Sequence, residues 1–550
     1  MNPRSSFYRK VVYGVVIILL LLPLFWLSSP ATSATSSSAA SPGGKLSQLR
    51  DKYNLSQAQL GEIDPTSVTV KLTTLGFRGV AAAVLWNKAA DYKMKKDWAN
   101  YGATLNQITK VLPNFLNVWI NQAWNLSYNC SVEFDNYRER YRWVIRGLNF
   151  LQEGIEYNKH NIARPRLVYE LGWNTSQKIG KADESKQYRH LFANDQDFRN
   201  SLPADMRDSC LDDRGQLDNW LVGKKWYQKA VDMVDAEGAS MLTKSPLVYR
   251  SQGPMCQMNY AEALERDGIF GEKAKIAWIT AGNEWHRYGN EELPTSFTRE
   301  GSEKPVEIRL NDREMHEEAA KRALAKLEAL QPGLRAKIVA EKKAALTPAQ
   351  REALDTPPEK RTPGKQMADA QQAENAIAVS HNEVARRVAG DQRKEALQLA
   401  KEAEEHEMLA GYIQRYREVV NFNFWRQRAK SEQTDDLIKA RQLVYQGERS
   451  YAEGDLVAAR NAYQDGLAAW RKALDTHKEY IHDQTTGEDL VDVVKRYRRV
   501  LSQLDEPFPK PFILQDILDI HQKAETAPAT EPKANEAADK DQHPSAKGGK

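Results

Sequence analysis

Residues 85–126 read LWNKAADYKMKKDWANYGATLNQITKVLPNFLNVWINQAWNL. Within this stretch Leu85, Ala89 and Tyr92 return as Trp119, Ala123 and Leu126, each pair 34 positions apart. Steps of four and three place the members of each trio on one face of a helix. Leu105, Ile108 and Leu112 form a second apolar run with the same spacing. Pro113 follows that run, and a proline cannot donate the backbone bond that would carry the helix on. The expected order is a helix through Ala89, a turn near Asp97, a second helix, a stop at Pro113, and a third helix carrying Trp119. A small Ala89 lets the paired helix approach closely, and Tyr92 fills the gap.

A fixed period of this length, built from these residue types, resembles the tetratricopeptide repeat. The resemblance covers residues 82–126. It departs where Tyr101 stands in place of a small alanine. It then weakens, because Trp143, Gly147 and Phe150 repeat the spacing only 24 residues after Trp119. Leu171-Gly172 and the set Trp220, Gly223 and Trp226 are further degenerate starts. A better single unit comes late: Gly447, Gly454-Asp455, Ala459, Tyr463 and Gly466 match the small residues, turn and bulky residue of one repeat. No copy lies 34 residues to either side. One repeat cannot stand alone, so this hairpin is expected to pack on a neighbour such as the stripe at 409–424. The resemblance implies an all-α fold of bacterial type: a tetratricopeptide-like hairpin array, then long Ala/Glu/Lys-rich helices, then a further hairpin. Such arrays present concave surfaces that hold an extended peptide or a partner's helix. The alternative is an irregular helical domain whose tryptophans are only core.

At the N-terminus, residues 11–27 are uncharged and almost wholly apolar. Arg4, Arg9 and Lys10 precede them, and no charge follows until Lys45. Basic residues stay on the cytoplasmic side, which predicts a short cytoplasmic segment 1–10 and an extracytoplasmic bulk. A retained signal anchor and a cleaved signal peptide share this layout; Thr32-Ser33-Ala34 would serve as a cleavage site. Residues 28–44 are rich in Ser, Ala, Thr, Pro and Gly and read as a flexible linker. Leu46, Leu49 and Tyr53 start a short helical spacing, Ser56 and Gln59 form a helix-start pair, and Asp64-Pro65 breaks the chain.

Residues 45–295 form the Trp-rich domain, since ten of the 13 tryptophans lie between Trp86 and Trp285. The segments 174–218 and 240–256, rich in Asp, Ser, Gly and Pro, are expected as loops on it. Residues 296–430 change to Ala, Glu, Lys, Arg and Gln, the composition of solvated helices. Asn311 with Glu314, and Thr347-Pro348 with Gln350, are expected helix starts. Residues 355–364 carry three prolines and form a linker. The helix beyond it, interrupted at Gly390 and Gly411, ends in a packing stripe of Leu409, Ile413, Tyr416, Val420 and Phe424. Glu402 and His406 extend that face, so it lacks the sustained heptads of a long coiled coil. Residues 431–523 hold the late hairpin, and 524–550 form a tail without apolar periodicity.

Composition limits the chemistry. The net charge is only +4 in 550 residues, so no field points to nucleic acid. Cys130, Cys210 and Cys256 include no CxxC pair, and an odd count leaves at least one thiol unpaired. There is no glycine-rich phosphate loop; Gly268-Ile269-Phe270-Gly271 has the wrong spacing. There is no HExxH motif and no GxSxG elbow. His477 and His482 stand five apart and do not share a helical face. Asp208, Asp212, Asp213, Gly215 and Asp218 break the order of a calcium loop. Trp119, Trp124, Trp143 and Trp173 read as core before they read as sugar-stacking platforms, and Tyr137 to Trp143 as the polar side of a helix. The expectation is a membrane-tethered scaffold for an unidentified protein or peptide, with no cofactor, metal or catalytic residue. The rival classes are a self-associating envelope protein, in which helices 311–431 build a homo-oligomer, and a Trp-rich glycan binder or enzyme.

Overall fold

The computed structural model describes residues 3–28, 43–45, 48, 78–212, 214–298 and 301–526. The elements expected from 46 to 77, nearly all of the 28–44 linker and the tail beyond Thr526 lie outside the described residues. Those residues are all-α apart from a two-stranded antiparallel hairpin and one isolated bridge. Helix α1 runs Pro3–Ser28 with Pro23 inside it. Among the described residues no helix is long and apolar enough to cross a membrane.

The chain divides into two compact units, residues 1–281 with 429–550, and residues 282–428. In the first unit α2 (Arg78–Met94) and α3 (Trp98–Val111) form a hairpin whose core holds Leu85, Ala89, Tyr101, Leu105 and Ile108. Asp97 caps α3 by accepting from the Asn100 amide at 3.1 Å. Next, α4 (Leu116–Trp124) runs on through a π-helical turn, Asn125–Cys130, and packs against α5 (Tyr137–Tyr157). The 34-residue pairs sit correspondingly. Ala89 and Ala123 are both buried on the first helix of their hairpins, as are Leu85 and Trp119. Tyr92 is half-buried, whereas Leu126 is buried in the π-helical turn. The second hairpin is closer than alanine alone would make it. A Cβ at Gly147 would stand 2.8 Å from the Ala123 carbonyl, and one at Gly154 would meet the Trp119 indole at 2.8 Å.

The array continues through α6 (Arg164–Trp173) and a second π-helical turn, Asn174–Lys178. The segment 174–218, expected as a loop, is largely helical: α7 (Ser185–Ala193), α8 (Gln196–Ser201) and α9 (Ala204–Arg207). Its polar residues are caps, and its apolar ones enter the core. Asp195 accepts from the Phe198 amide, while Tyr188, Phe192, Phe198 and Met206 are buried. Asp218 caps α10 (Asn219–Glu237), which packs on α6 with Gly172 and Gly223 at the closest approach. The 240–256 segment also holds helix: α11 (Pro246–Arg250) and the start of α12 (Gln252–Arg266). Then comes α13 (Glu272–Gly289), within which the second unit begins.

In that second unit, β1 (Leu293–Thr298) and β2 (Pro305–Ile308) pair as an antiparallel ribbon. In a two-stranded ribbon every strand has an open edge, so Pro294 and Pro305 need not interrupt the ladder. Helices α14 (Arg313–Leu330), α15 (Leu334–Ala344), α16 (Pro348–Asp355), α17 (Lys365–Ile377), α18 (His381–Arg387) and α19 (Arg393–Val419) follow. Thr347 and Gln350 make the full reciprocal capping box. The Asn311–Glu314 box does not form. Asp312 precedes α14 without a side-chain cap, and Glu314 is taken by Arg417, whose buried guanidinium donates to it at 2.7 and 2.9 Å. Gly411 lies inside α19 rather than interrupting it, and the apolar stripe breaks at Asn421, where φ is 48°. Past that turn the buried ring is Phe422, not Phe424.

The last part of the chain returns to the first unit. It comprises α20 (Phe422–Glu432), which spans the boundary, then α21 (Asp435–Glu453), α22 (Leu456–Thr476), α23 (Gln484–Gln503) and α24 (Gln515–Thr526). Gly454 turns the α21–α22 hairpin in the left-handed region at φ 83°, where only glycine is unstrained. A Cβ at Gly447 would touch the Tyr463 ring at 3.0 Å, and one at Gly466 would touch Val444 at 3.1 Å. Ala459 and Tyr463 are fully buried. The hairpin closes its core on α23 and α24, through Tyr497, Leu514 and Ile517.

Its other side meets α12. Arg441 donates to Glu432 at 2.8 and 2.5 Å and lies 3.6 Å from Glu265, across the Trp470 ring. The Trp278 indole donates to Glu265 at 2.9 Å. Phe270 packs on Tyr445, and Lys275 reaches Asp435 at 2.8 Å.

Two sets of outcomes follow. Ala89→Trp and Ala123→Trp should each cost about 1–3 kcal/mol through overpacking. Tyr92→Ala should cost less than the roughly 3–5 kcal/mol of a fully buried aromatic, because its ring is half-exposed. Lys95→Ala should stay within about 0.5 kcal/mol. Thermal melts decide, and two harmless tryptophans would mean the hairpin contact is misplaced. The second concerns charge. Burial, reinforced by Glu432 and opposed by Arg441 and Trp278, pushes the Glu265 carboxyl up from 4.5 to about 7. The folded chain therefore keeps a proton that the unfolded chain has lost, and this group's contribution falls as pH rises from about 4.5 through 7. Glu265→Gln should match the parent at pH 4.5 and exceed it at pH 8 by about 1–3 kcal/mol. Equal denaturant midpoints at pH 8 would remove the inference.

Candidate peptide-binding groove

A cavity of about 990 Å³ opens between α3 and α5, over α4 and its π-helical extension. Its floor is Trp119, Gln122, Leu126 and Cys130, a helical stripe. One wall is the α3 stripe Gly102, Asn106 and Thr109. The other is the α5 stripe Trp143, Arg146, Phe150, Glu153 and Tyr157. The groove is a property of three consecutive helices of the array.

Both ends are tied by aromatic N–H donors. At one end the Trp119 indole donates to the Pro113 carbonyl at 2.8 Å, and the Asn158 amide donates to the same oxygen at 2.9 Å. Pro113 therefore does more than stop α3: its carbonyl joins the start of α4 to the end of α5. At the other end the Trp98 indole donates to Glu133 at 2.8 Å. Trp119 is held between Phe150 and Tyr157, with ring centroids 4.8 and 5.6 Å away. Trp143 leans on Phe134 at 5.8 Å and carries Arg146 at 5.1 Å on its face.

The polar centre is Gln122, whose side-chain amide donates to Gly102 at 3.3 Å and to Asn106 at 3.4 Å, while its oxygen accepts from Asn125 at 3.4 Å. All three bonds are long for N–H···O contacts, so they are weak ones. Lys96, Lys110 and Arg146 balance Asp97, Glu133 and Glu153 around the rim, so the lining carries no net charge. Burial, with Glu133 second, pushes the Cys130 thiol up to about 11, which leaves it protonated and unreactive near neutrality.

Of the repeat residues, Pro113, Trp119 and Leu126 line the groove, and Ala123 lies behind its floor. Leu85, Ala89 and Tyr92 belong to the hairpin before it. Gly447, Gly454, Ala459, Tyr463 and Gly466 build the C-terminal hairpin and do not reach it. The α5 wall was readable in part: Trp143, Gly147 and Phe150 share a face, and extending the spacing to Glu153 and Tyr157 completes it. Gln122 and Asn106 had no signal of their own, because carboxamides at helical spacing look like solvated surface. Among the other motifs, Asp212 accepts from the Arg214 and Gln216 amides, Asp208 pairs with Arg199, and Asp218 caps α10. Asp212 thus serves a turn, Asp218 a cap and Asp208 an ion pair, and Asp213 lies outside the described residues. The three cysteines are buried.

Comparison of the chain with protein-family models, with curated proteins and with solved structures finds no match in any of the three.

Proposed function

We propose that this chain is a membrane-tethered scaffold of tetratricopeptide type and bacterial character, whose array faces the extracytoplasmic space and holds a segment of another protein. The groove between α3 and α5 carries the reading. Its volume stands at the upper end of the range for compact ligand sites. Its floor is aromatic and apolar, and carboxamides, which both donate and accept, lie where a peptide main chain would need partners. The cancelling rim charges favour an uncharged, extended segment with at least one bulky apolar side chain, because a charged one would be desolvated without a counter-charge. The tether rests on the apolar run 11–27 and on the basic residues confined to its N-terminal side.

A photoreactive side chain in place of Asn149, on the groove wall, should capture one protein in native membranes, and the same group at Lys159 should not. Trp143→Ala should reduce that capture at least tenfold, about 1.4 kcal/mol of affinity. Equal yields at both positions would place the partner elsewhere. For topology, a phosphatase fused after Lys550 should be active and a cytoplasmic reporter at the same point silent; the opposite pattern reverses the orientation.

A further inference from the structure

Two histidines meet inside the second unit. His316 lies on α14 and His406 on α19, which pack as an antiparallel pair with Glu314 against Arg417 near one end and Leu327 beside Leu399 farther along. The Nδ1 atoms of the two rings are 2.8 Å apart, with ring centroids at 5.1 Å. Both side chains are half-buried. Two imidazoles facing each other through the same nitrogen can share one proton, one ring donating and the other accepting. They can also share a cation.

We propose that His316 and His406 form a seat for a divalent d-block ion, Zn²⁺ or Ni²⁺ in class, that clamps α14 to α19. Imidazole nitrogen is a preferred donor for these ions, and a poor one for Mg²⁺ or Ca²⁺. Zinc binds histidine nitrogen at about 2.0–2.1 Å, so two such ligands on a tetrahedral ion stand roughly 3.3 Å apart. The rings need to separate by only about half an ångström to admit it, a movement within reach of rotation about the side-chain bonds. Burial and the neighbouring His406 disfavour positive charge at His316, and the negative charges of Asp312 and Glu405 oppose them. Among the described residues no third His, Cys, Asp or Glu converges on the pair, so water fills the remaining positions. The seat is therefore one that captures metal from solution and stiffens a helix pair, not a closed structural site. It is independent of the groove.

The test uses the tag-free full chain in detergent, titrated with Zn²⁺ alone by calorimetry. Wild type should take up one Zn²⁺ that raises the thermal midpoint and is removed by chelator, and Mg²⁺ should do neither. His316→Gln and His406→Gln should each weaken that binding at least tenfold, while His381→Gln, which loses a ring bonded to Glu407, the residue next to His406 on α19, should not. Zinc-edge absorption of the wild-type complex, which needs no variant to fold, should report two imidazole nitrogens. Undiminished binding in both Gln variants, or fewer than two imidazoles at the edge, overturns the proposal.

Discussion

Arg441 is the constraint on which the first unit depends. It is one guanidinium between two carboxylates, all three largely out of water. Such a group is expensive to bury alone, and removing Glu432 leaves an uncompensated charge, whereas Glu265 is protonated below about pH 7 and adds a second negative charge only above it. Glu432 is wholly buried and bonded to it, Glu265 is buried and held by the Trp278 indole, and Trp470 covers its face. These residues come from parts of the chain separated by the whole of 282–428. The contact is specific in a way apolar packing is not: α12 and α21 can slide past many aliphatic surfaces, but only one register brings Arg441 to both acids. Tyr445 against Phe270 supplies apolar area to a geometry that the charges have already selected.

The hairpins were legible because their information is local. Ala89 and Ala123 repeat at a fixed period, and Gly447, Gly454 and Tyr463 sit within one helix-turn-helix. The joint at Arg441 was not legible. Glu265 and Arg441 stand 176 positions apart, and a charged residue on a helix is ordinarily a solvated one. The same prior misread Glu314 as a cap and left Arg417 unnoticed beside the apolar residues of α19. The 174–218 segment misled differently. Asp195 and Asp218 are turn formers by composition, yet as caps they begin helices, and the apolar residues that follow each of them carry the burial.

The fading of the repeat after Trp119 has a physical account. A strict 34-residue copy would keep a regular first helix in the second hairpin. Instead α4 runs into a π-helical turn, where the extra residue per turn rotates Leu126 and Cys130 toward the groove. Helix α5 then approaches α4 through Gly147 and Gly154, seven residues apart, so the contact follows glycines and not the Ala-and-aromatic rule of the first hairpin. Trp119 fills the space that the closer approach leaves. The departure from the repeat and the formation of the groove have one origin.

An insertion of 147 residues, 282–428, between two parts of one compact unit looks costly until the closure term is considered. The entropy of joining the ends of a loop grows only as the logarithm of its length, so each doubling adds about 0.6 kcal/mol. A unit that folds on itself behaves as a still shorter connection, since its own ends are fixed by its structure. A direct link from Ala281 to Ala429 would therefore gain the first unit little. What the joint must supply is direction and register, because α13 and α20 both cross the unit boundary and the two chain segments must return side by side. A buried, multiply bonded arginine has the directional character that this task demands, and the array can accept an inserted unit without loss of its own order.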